Sequence, residues 1–216
     1  MDGAHGVRHG HDDDDEHFEE QPRMTTDRWI VVGLGNPGPQ YAATRHNVGQ
    51  MVLDELAGRT GGSFSAHRSR AQVIETRLRP GGPRLVLAKP LTYMNTSGGP
   101  VSALLKYYDA TPEQLIVVHD ELDIPFDTLR LKRGGGEGGH NGLRDISKAA
   151  GTKDYLRVRV GVGRPPGRMD TADYVLRPFG SAEAKDLPLH LDRAADAVER
   201  IIDDGLTAAQ NAFHSS

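Results

Sequence analysis

The chain has 216 residues, of which 37% are hydrophobic and 26% are charged, a composition typical of one folded domain with a buried core. It contains no cysteine, which excludes disulfides, thiolate metal ligands and a cysteine nucleophile. No apolar run approaches the roughly 18 residues of a membrane span, and no hydrophobic signal segment is present. We therefore expect a cytoplasmic protein without membrane contact.

The formal net charge of −4 is distributed unevenly. Residues 1–23 carry eight acidic and two basic residues, a balance of −6, and few apolar ones. We expect this segment to be a disordered tail, because it cannot bury enough apolar surface to fold. A mis-assigned start or an expression leader would also explain it, since Met24 follows directly. The tail contains four histidines that could in principle hold a metal ion, at His5, His9, His11 and His17.

Strand-like and helix-like segments alternate over residues 24–216, which predicts a single α/β domain. Apolar runs and alternation indicate the strands, and apolar residues three or four apart indicate the helices. In chain order we predict a strand at 29–33, a helix from 48 to near Gly58, strands at 71–78 and 84–88, a helix with Pro100 in its first turn, strands at 115–118 and 128–133, a short helix from a glycine-rich loop to near Gly151, a strand at 155–162, and a long final helix that stops at Gly205.

The segment GLGNPG at 33–38 matches the dinucleotide-binding pattern G-x-G-x-x-G after a strand. Such a site also needs a helix that begins within the loop and an acidic residue about 20 positions later at a strand end. Two prolines oppose that helix, and the nearest acids, Asp54 and Glu55, lie within a helical pattern. We therefore expect no nucleotide cofactor. We expect the glycines to allow a sharp turn that presents Asn36 above the sheet edge.

A histidine and a carboxylate occur where an α/β fold commonly builds its site. His46 lies at the start of the first predicted helix, and the apolar strand 115–118 runs directly into His119 and Asp120. A carboxylate at a strand end can hold a histidine in the tautomer that accepts a proton. No G-x-S-x-G motif is present, so a serine hydrolase of that type is not expected. A His–Asp pair without a nucleophile suits activation of water.

A metal site is the alternative use of these histidines. His46, His119, Asp120 and His140 offer suitable ligand atoms. However, they show none of the helical ligand spacings, and no H-E-x-x-H motif occurs. We therefore expect no catalytic metal.

The loop at 134–142 has six glycines in nine residues and precedes a predicted helix, an arrangement whose exposed N–H groups favour anions. It is not a Walker loop, because no Gly-Lys-Ser/Thr follows. Between positions 130 and 168 there are ten basic and three acidic residues, which indicates a surface that meets a polyanion, with a solvated basic face as the alternative. The cations expected beside the loop lie on two predicted strands, at Arg130, Lys132, Arg157 and Arg159.

Four long motifs follow one another in the chain: GLGNPGPQYAATRHNVG (33–49), KPLTYMNTSGGPV (89–101), VVHDELDIP (117–125) and LRLKRGGGEGGHNGLRDI (129–146). Together they closely resemble bacterial-type peptidyl-tRNA hydrolases, and the similarity covers essentially all of 28–214. The resemblance implies a monomeric α/β domain with a twisted mixed sheet flanked by helices. It also implies cleavage of the ester between peptide and tRNA, which recycles tRNA from aborted translation, with no metal or cofactor.

The same resemblance assigns roles to matching residues. His46 is implied as the general base and Asp120 as the carboxylate that orients it. Asn95 and Asn141 are implied to hold substrate and water near the ester carbonyl. Asn36 is implied to distinguish blocked from free aminoacyl ends.

The remaining implied contacts are to the tRNA. Tyr41 and Tyr93 resemble residues that contact the acylated terminus, and Lys132 and Arg159 match a clamp on the 5′-phosphate. A non-catalytic RNA-binding protein that uses the basic region 130–168 is the competing hypothesis. It predicts binding without turnover and leaves the histidine, aspartate and asparagines unexplained.

Overall fold

The computed structural model describes residues 28–214, so the predictions for the acidic tail, its histidines and Met24 lie outside the described residues. Within 28–214, no helix combines the length and the apolar character needed to cross a bilayer. The strands are β1 (Arg28–Gly33), β2 (Ser65–His67), β3 (Ala71–Arg77), β4 (Arg84–Pro90), β5 (Leu115–Glu121), β6 (Leu129–Arg133) and β7 (Leu156–Gly161).

Residues 28–214 also form six α-helices and three short 3-10 helices. The α-helices are α1 (Val48–Thr60), α2 (Gly98–Tyr107), α3 (Asn141–Ala150), α4 (Thr171–Val175), α5 (Ser181–Asp204) and α6 (Leu206–His214). The 3-10 helices are Arg45–Asn47, Met94–Thr96 and Pro112–Gln114.

All seven strands form one mixed sheet in the order β2-β3-β4-β1-β5-β7-β6. The pairs β4–β1, β1–β5 and β5–β7 are parallel, while β2–β3, β3–β4 and β6–β7 are antiparallel. Strands β1 and β5 lie in the middle of the sheet, where both faces are covered. Side chains there must be buried, which explains the apolar runs of these two strands.

Helices cover both faces of the sheet. One core packs α1, α5 and α6 against side chains such as Val31, Leu87 and Val158. The other packs α2 and α3 against Val32 and Val117. The prediction of an α/β domain with a mixed sheet flanked by helices is therefore confirmed.

Several boundaries differ from the sequence prediction. Strand β2, helix α4 and helix α6 were not predicted, because each is too short or too polar to show a clear period. Helix α1 continues past Gly58 to Thr60. The next residue, Gly61, caps the helix with a φ of 73°, which only glycine adopts readily. The long helix α5 does stop at Gly205, but it is not the final helix, since α6 follows. Strand β5 extends through Glu121 and so includes His119 and Asp120.

The glycines of the 33–38 motif serve two purposes: Gly38 allows the turn expected from the sequence, and Gly33 and Gly35 allow close packing. Of its three glycines only Gly38 has a left-handed backbone. A Cβ on Gly33 would lie 2.5 Å from the Gly49 carbonyl oxygen, and one on Gly35 would lie 2.7 Å from Cγ of Asn47. The first turn of α1 therefore packs backbone against backbone on β1, which brings His46 over the carboxyl end of the sheet.

Candidate active site

A cavity of about 530 Å³ opens at the carboxyl end of β5. Its walls come from the loop after β1, the 3-10 helices at 45–47 and 94–96, the glycine-rich loop and α4. The residues proposed from the sequence that line it are Asn36, His46, Tyr93, Asn95, Asp120 and Asn141.

His46 and Asp120 form a short hydrogen bond in the cavity wall. Nδ1 of His46 lies 2.7 Å from Oδ2 of Asp120, and the Asp120 side chain is only 3% exposed. Because a carboxylate can only accept, the proton of neutral His46 resides on Nδ1. Nε2 of His46 therefore carries a lone pair and can accept a proton, as a general base requires.

A second histidine contacts the same carboxylate. Nε2 of His140 lies 2.8 Å from Oδ1 of Asp120, and Nδ1 of His140 accepts a hydrogen bond from the backbone N–H of Leu143. His140 thus caps the N-terminus of α3. From the sequence alone, His140 is expected only as a possible metal ligand. The signal that could have found this role is its position between the glycines and the α3 pattern, where a capping side chain is expected.

The charge of Asp120 controls the protonation of His46. Burial lowers the pKa of His46, but the negative charge of Asp120 and the hydrogen bond to it outweigh burial, and the pKa is raised above 6.5. Burial acts to raise the pKa of Asp120, but the charge of His46 and the hydrogen bonds from His140 and His46 hold it well below its usual range. The site therefore combines an ionised carboxylate with a histidine whose pKa is raised above its ordinary value.

The three residues could geometrically hold a cation, since one ligand atom from each of His46, Asp120 and His140 lies within 4.8 Å of the others. Their hydrogen bonds argue for a different use. Both histidines direct an N–H at Asp120, and a cation would have to displace both of these bonds. The arrangement therefore favours a carboxylate shared between two imidazoles. The absence of a catalytic metal stays a prediction.

Asn36 is fixed by contacts from two other segments. Its Oδ1 accepts a 2.7 Å hydrogen bond from the backbone N–H of Met94. The buried side chain of Asn47 accepts from the Asn36 backbone N–H and donates to the Asn36 carbonyl oxygen, both at 2.9 Å. With Oδ1 engaged, Asn36 offers its Nδ2 donors to a ligand. The sequence analysis missed Asn47, which holds this loop in place.

Asn95 and Asn141 lie on neighbouring elements. Asn95 is in the 3-10 helix 94–96, and Asn141 is the first residue of α3. A Cβ on Gly142 would lie 2.7 Å from Sδ of Met94, so a larger residue here would force the Met94 side chain to move. Both asparagines are exposed and line the cavity, which leaves their amides available to a ligand.

Tyr41 and Tyr93 pack edge to face at the rim, with ring centres 6.5 Å apart. Tyr93 lines the cavity and is 61% exposed, whereas Tyr41 lies outside the lining. An exposed aromatic ring beside a cavity offers a flat surface on which a nucleobase can stack.

The sequence model of the peptidyl-tRNA hydrolase family matches residues 30–216. The chain belongs to this family. Peptidyl-tRNA hydrolases of Pseudarthrobacter chlorophenolicus and of an Arthrobacter species are 72% and 69% identical to it, over 88% of this chain and 96% and 98% of theirs. A crystal structure of peptidyl-tRNA hydrolase from Acinetobacter baumannii superposes with a TM-score of 0.81 at 34% identity, covering 88% of this chain and 96% of that one. As a member of the peptidyl-tRNA hydrolase family, the chain is an enzyme.

The basic side chains beside the glycine-rich loop, at Arg130, Lys132, Arg157 and Arg159, do not line the cavity. In the antiparallel pair β6–β7, Arg130 is opposite Arg159 and Lys132 is opposite Arg157, so all four side chains leave the same face. Lys132 and Arg159 remain partly exposed. Burial and the neighbouring arginines lower the pKa of Lys132, which reflects the positive field of this strip.

Arg157 does not contribute to an exposed strip, which corrects the sequence prediction. It is fully buried, and its guanidinium donates to the carbonyl oxygens of Gly136, Gly135 and Lys153 at 2.7–3.1 Å. Its pairing with these carbonyls holds the glycine-rich loop against β7. A buried arginine can satisfy several backbone carbonyls at once because its five donors are fixed in one plane.

Proposed function

We propose that this chain hydrolyses the ester that joins a peptide to the 3′ end of tRNA, with His46 as the general base. The observation that carries the proposal is the free Nε2 of His46, which faces the cavity while Asp120 holds Nδ1. Membership of the family supplies the substrate class.

In the proposed reaction His46 removes a proton from a water molecule as its oxygen attacks the ester carbonyl. The carbonyl oxygen becomes negatively charged, and the amides of Asn95 and Asn141 are available to donate to it and to hold the water. The ribose oxygen then leaves and takes the proton back from His46. Asp120 stabilises the positive charge that His46 carries between these steps.

Asn36 is proposed to select substrates with a blocked amino group. Because its Oδ1 already accepts from Met94, only its N–H donors face a ligand. An N-acyl group offers a carbonyl oxygen to these donors. The free α-ammonium of an aminoacyl-tRNA offers only donors and would lose its hydration without a partner. The selection therefore follows from the fixed orientation of one amide.

Contacts to the tRNA are proposed at two places. Tyr41 and Tyr93 would contact the acylated 3′ end at the cavity rim, and Lys132 and Arg159 would bind the 5′-phosphate beside the glycine-rich loop. The protein is proposed to act as a cytoplasmic monomer, because the proposed site uses residues of one chain and its substrate arises from translation.

Residues 24–216 are proposed to form the catalytic domain and residues 1–23 a solvated acidic tail. We expect deletion of 1–23 to leave both the turnover number and the melting temperature unchanged. A clear loss of either would show that the tail contributes to the folded domain.

The decisive experiment compares peptidyl-tRNA with free aminoacyl-tRNA that carries the same amino acid. We expect ester cleavage of the first, little cleavage of the second, and no turnover by His46→Ala although it still binds tRNA. Binding without turnover by the wild-type protein would favour the RNA-binding hypothesis. Activity abolished by a chelator and restored by a divalent metal would favour a metal-dependent hydrolase.

A further inference from the structure

Both ring nitrogens of His140 have a defined partner. Nδ1 accepts from the backbone N–H of Leu143 at 3.3 Å, and Nε2 lies 2.8 Å from Oδ1 of Asp120. A backbone N–H can only donate, so Nδ1 carries no proton and the ring proton is on Nε2. The two contacts therefore hold His140 in one tautomer, with its Nε2–H directed at the carboxylate.

This fixed donor divides the two oxygens of Asp120 between two histidines. Oδ1 accepts from His140 and Oδ2 accepts from His46. Because Asp120 is buried, water is a poor substitute for either donor. We propose that His140 is a positioning residue for the reaction: its N–H holds Asp120 so that Oδ2 faces His46, and it limits how strongly the carboxylate attracts a proton onto His46. The proposal rests on the role of His46 proposed above.

Other polar groups near the carboxylate have different partners. Buried His119 has its Nδ1 2.7 Å from the backbone oxygen of Asp120, and burial lowers its pKa to about 3, so it stays neutral. Glu121 pairs with Arg159, and Arg157 donates to the glycine-rich loop. Within the described residues, the hydrogen bonds to the Asp120 carboxylate oxygens come from His46 and His140.

Two substitutions separate the two hydrogen bonds of His140. In His140→Asn, Oδ1 of asparagine occupies the position of Nδ1 and can still cap α3, but the side chain is too short to reach Asp120. In His140→Gln, Nε2 of glutamine occupies the position of the histidine Nε2 and can still donate to Asp120, but the capping atom is lost. A capping role and a positioning role therefore predict opposite results.

We expect His140→Asn to lower kcat/KM for peptidyl-tRNA at neutral pH about tenfold, the effect of losing a hydrogen bond to a charged group. It should also raise the pH at which activity is half lost on acidification, because Asp120 without this donor attracts the proton on His46 more strongly. His140→Gln should retain most of the activity and the wild-type pH profile. The melting temperature reports capping of α3, which His140→Asn keeps and His140→Gln loses, and Thr111→Ala is a control that removes a cap far from the cavity.

The titration of the His46 ring, followed by NMR in the absence of substrate, tests the inference without using activity. We expect the His46 pKa to rise in His140→Asn and to stay near the wild-type value in His140→Gln. If the ring titration shifts but the pH profile of turnover does not follow it, the role of His46 as the base fails, while the effect of His140 on Asp120 and His46 stands. Wild-type titration and activity in His140→Asn, with losses confined to His140→Gln, would overturn the inference in favour of helix capping alone.

Discussion

The guanidinium carbon of Arg45 lies 3.9 Å from the ring centre of Tyr174, and Nη1 of Arg45 donates to the Tyr174 carbonyl oxygen. Arg45 also forms a 2.9 Å ion pair with Glu183, and its backbone N–H donates to the carbonyl oxygen of Arg177. Helix α4 contributes Thr171, Ala172 and Val175 to the cavity wall. The residue next to His46 thus attaches one wall of the cavity to the 3-10 helix that carries the proposed base.

Replacing Arg45 should therefore weaken substrate binding more than chemistry. We expect Arg45→Met to lose about 2 kcal/mol of unfolding free energy, through the cation–π contact and the hydrogen bonds, and to raise KM for peptidyl-tRNA. Thermal unfolding and steady-state kinetics measure the two effects. Glu183→Gln is the matched control, since it weakens the ion pair but keeps the ring contact, and should cost less in both. A drop in kcat with unchanged KM would contradict the role of Arg45 in holding the cavity wall.

Activity should depend on the protonation of His46. Its raised pKa means that the proton-accepting form is lost as pH falls through a value above 6.5, so kcat/KM should decline there with a slope of one proton. The lowered pKa of Asp120 keeps that carboxylate ionised throughout the same range, so it should add no second inflection. A pH profile of kcat/KM from about 5 to 9 checks this. A flat profile across the neutral range would reject His46 as the base.

Asp120→Asn should be almost as damaging as loss of His46. The N–H of His140 requires an acceptor, so the amide oxygen of the new asparagine would turn towards His140 and its NH₂ towards His46. Nδ1 of His46 would then have to accept, which places the ring proton on Nε2 and removes the base. We expect kcat to fall by about 10³-fold or more with tRNA affinity unchanged. A loss below tenfold would show that the tautomer is not controlled in this way.

The proposed phosphate clamp should affect only substrates that carry the 5′ end of tRNA. We expect Lys132→Ala and Arg159→Ala to raise KM for full-length peptidyl-tRNA and to reduce the log–log salt slope of binding by roughly 0.7–1 each. A peptidyl ester of a short 3′ oligonucleotide should be cleaved normally. Arg133→Ala is the control, because Arg133 is exposed but its side chain leaves the opposite face of β6. Equal effects on both substrates would contradict the clamp.

The sequence predicted most of the fold because the long elements have a clear hydrophobic period. The central strands β1 and β5 contain continuous apolar runs, and α5 repeats apolar residues at helical spacing from Leu187 to Ile202. The three-residue strand β2 and the five-residue helix α4 are too short to show a period, and their neighbours in space fix them. The local pattern of apolar residues could not indicate contacts between residues that are far apart in the chain.

The sequence by itself determined the α/β class, the family motifs and the residue types that the proposed reaction uses. Tertiary structure decided how those side chains are paired. It placed His140 beside Asp120, although twenty positions separate them in the chain, and it oriented the Asn36 amide with Oδ1 towards the backbone N–H of Met94. It also buried Arg157 under the glycine-rich loop while leaving Lys132 and Arg159 at the surface. The reason is that a hydrogen bond depends on distance and direction in space, and strand register and helix packing set both.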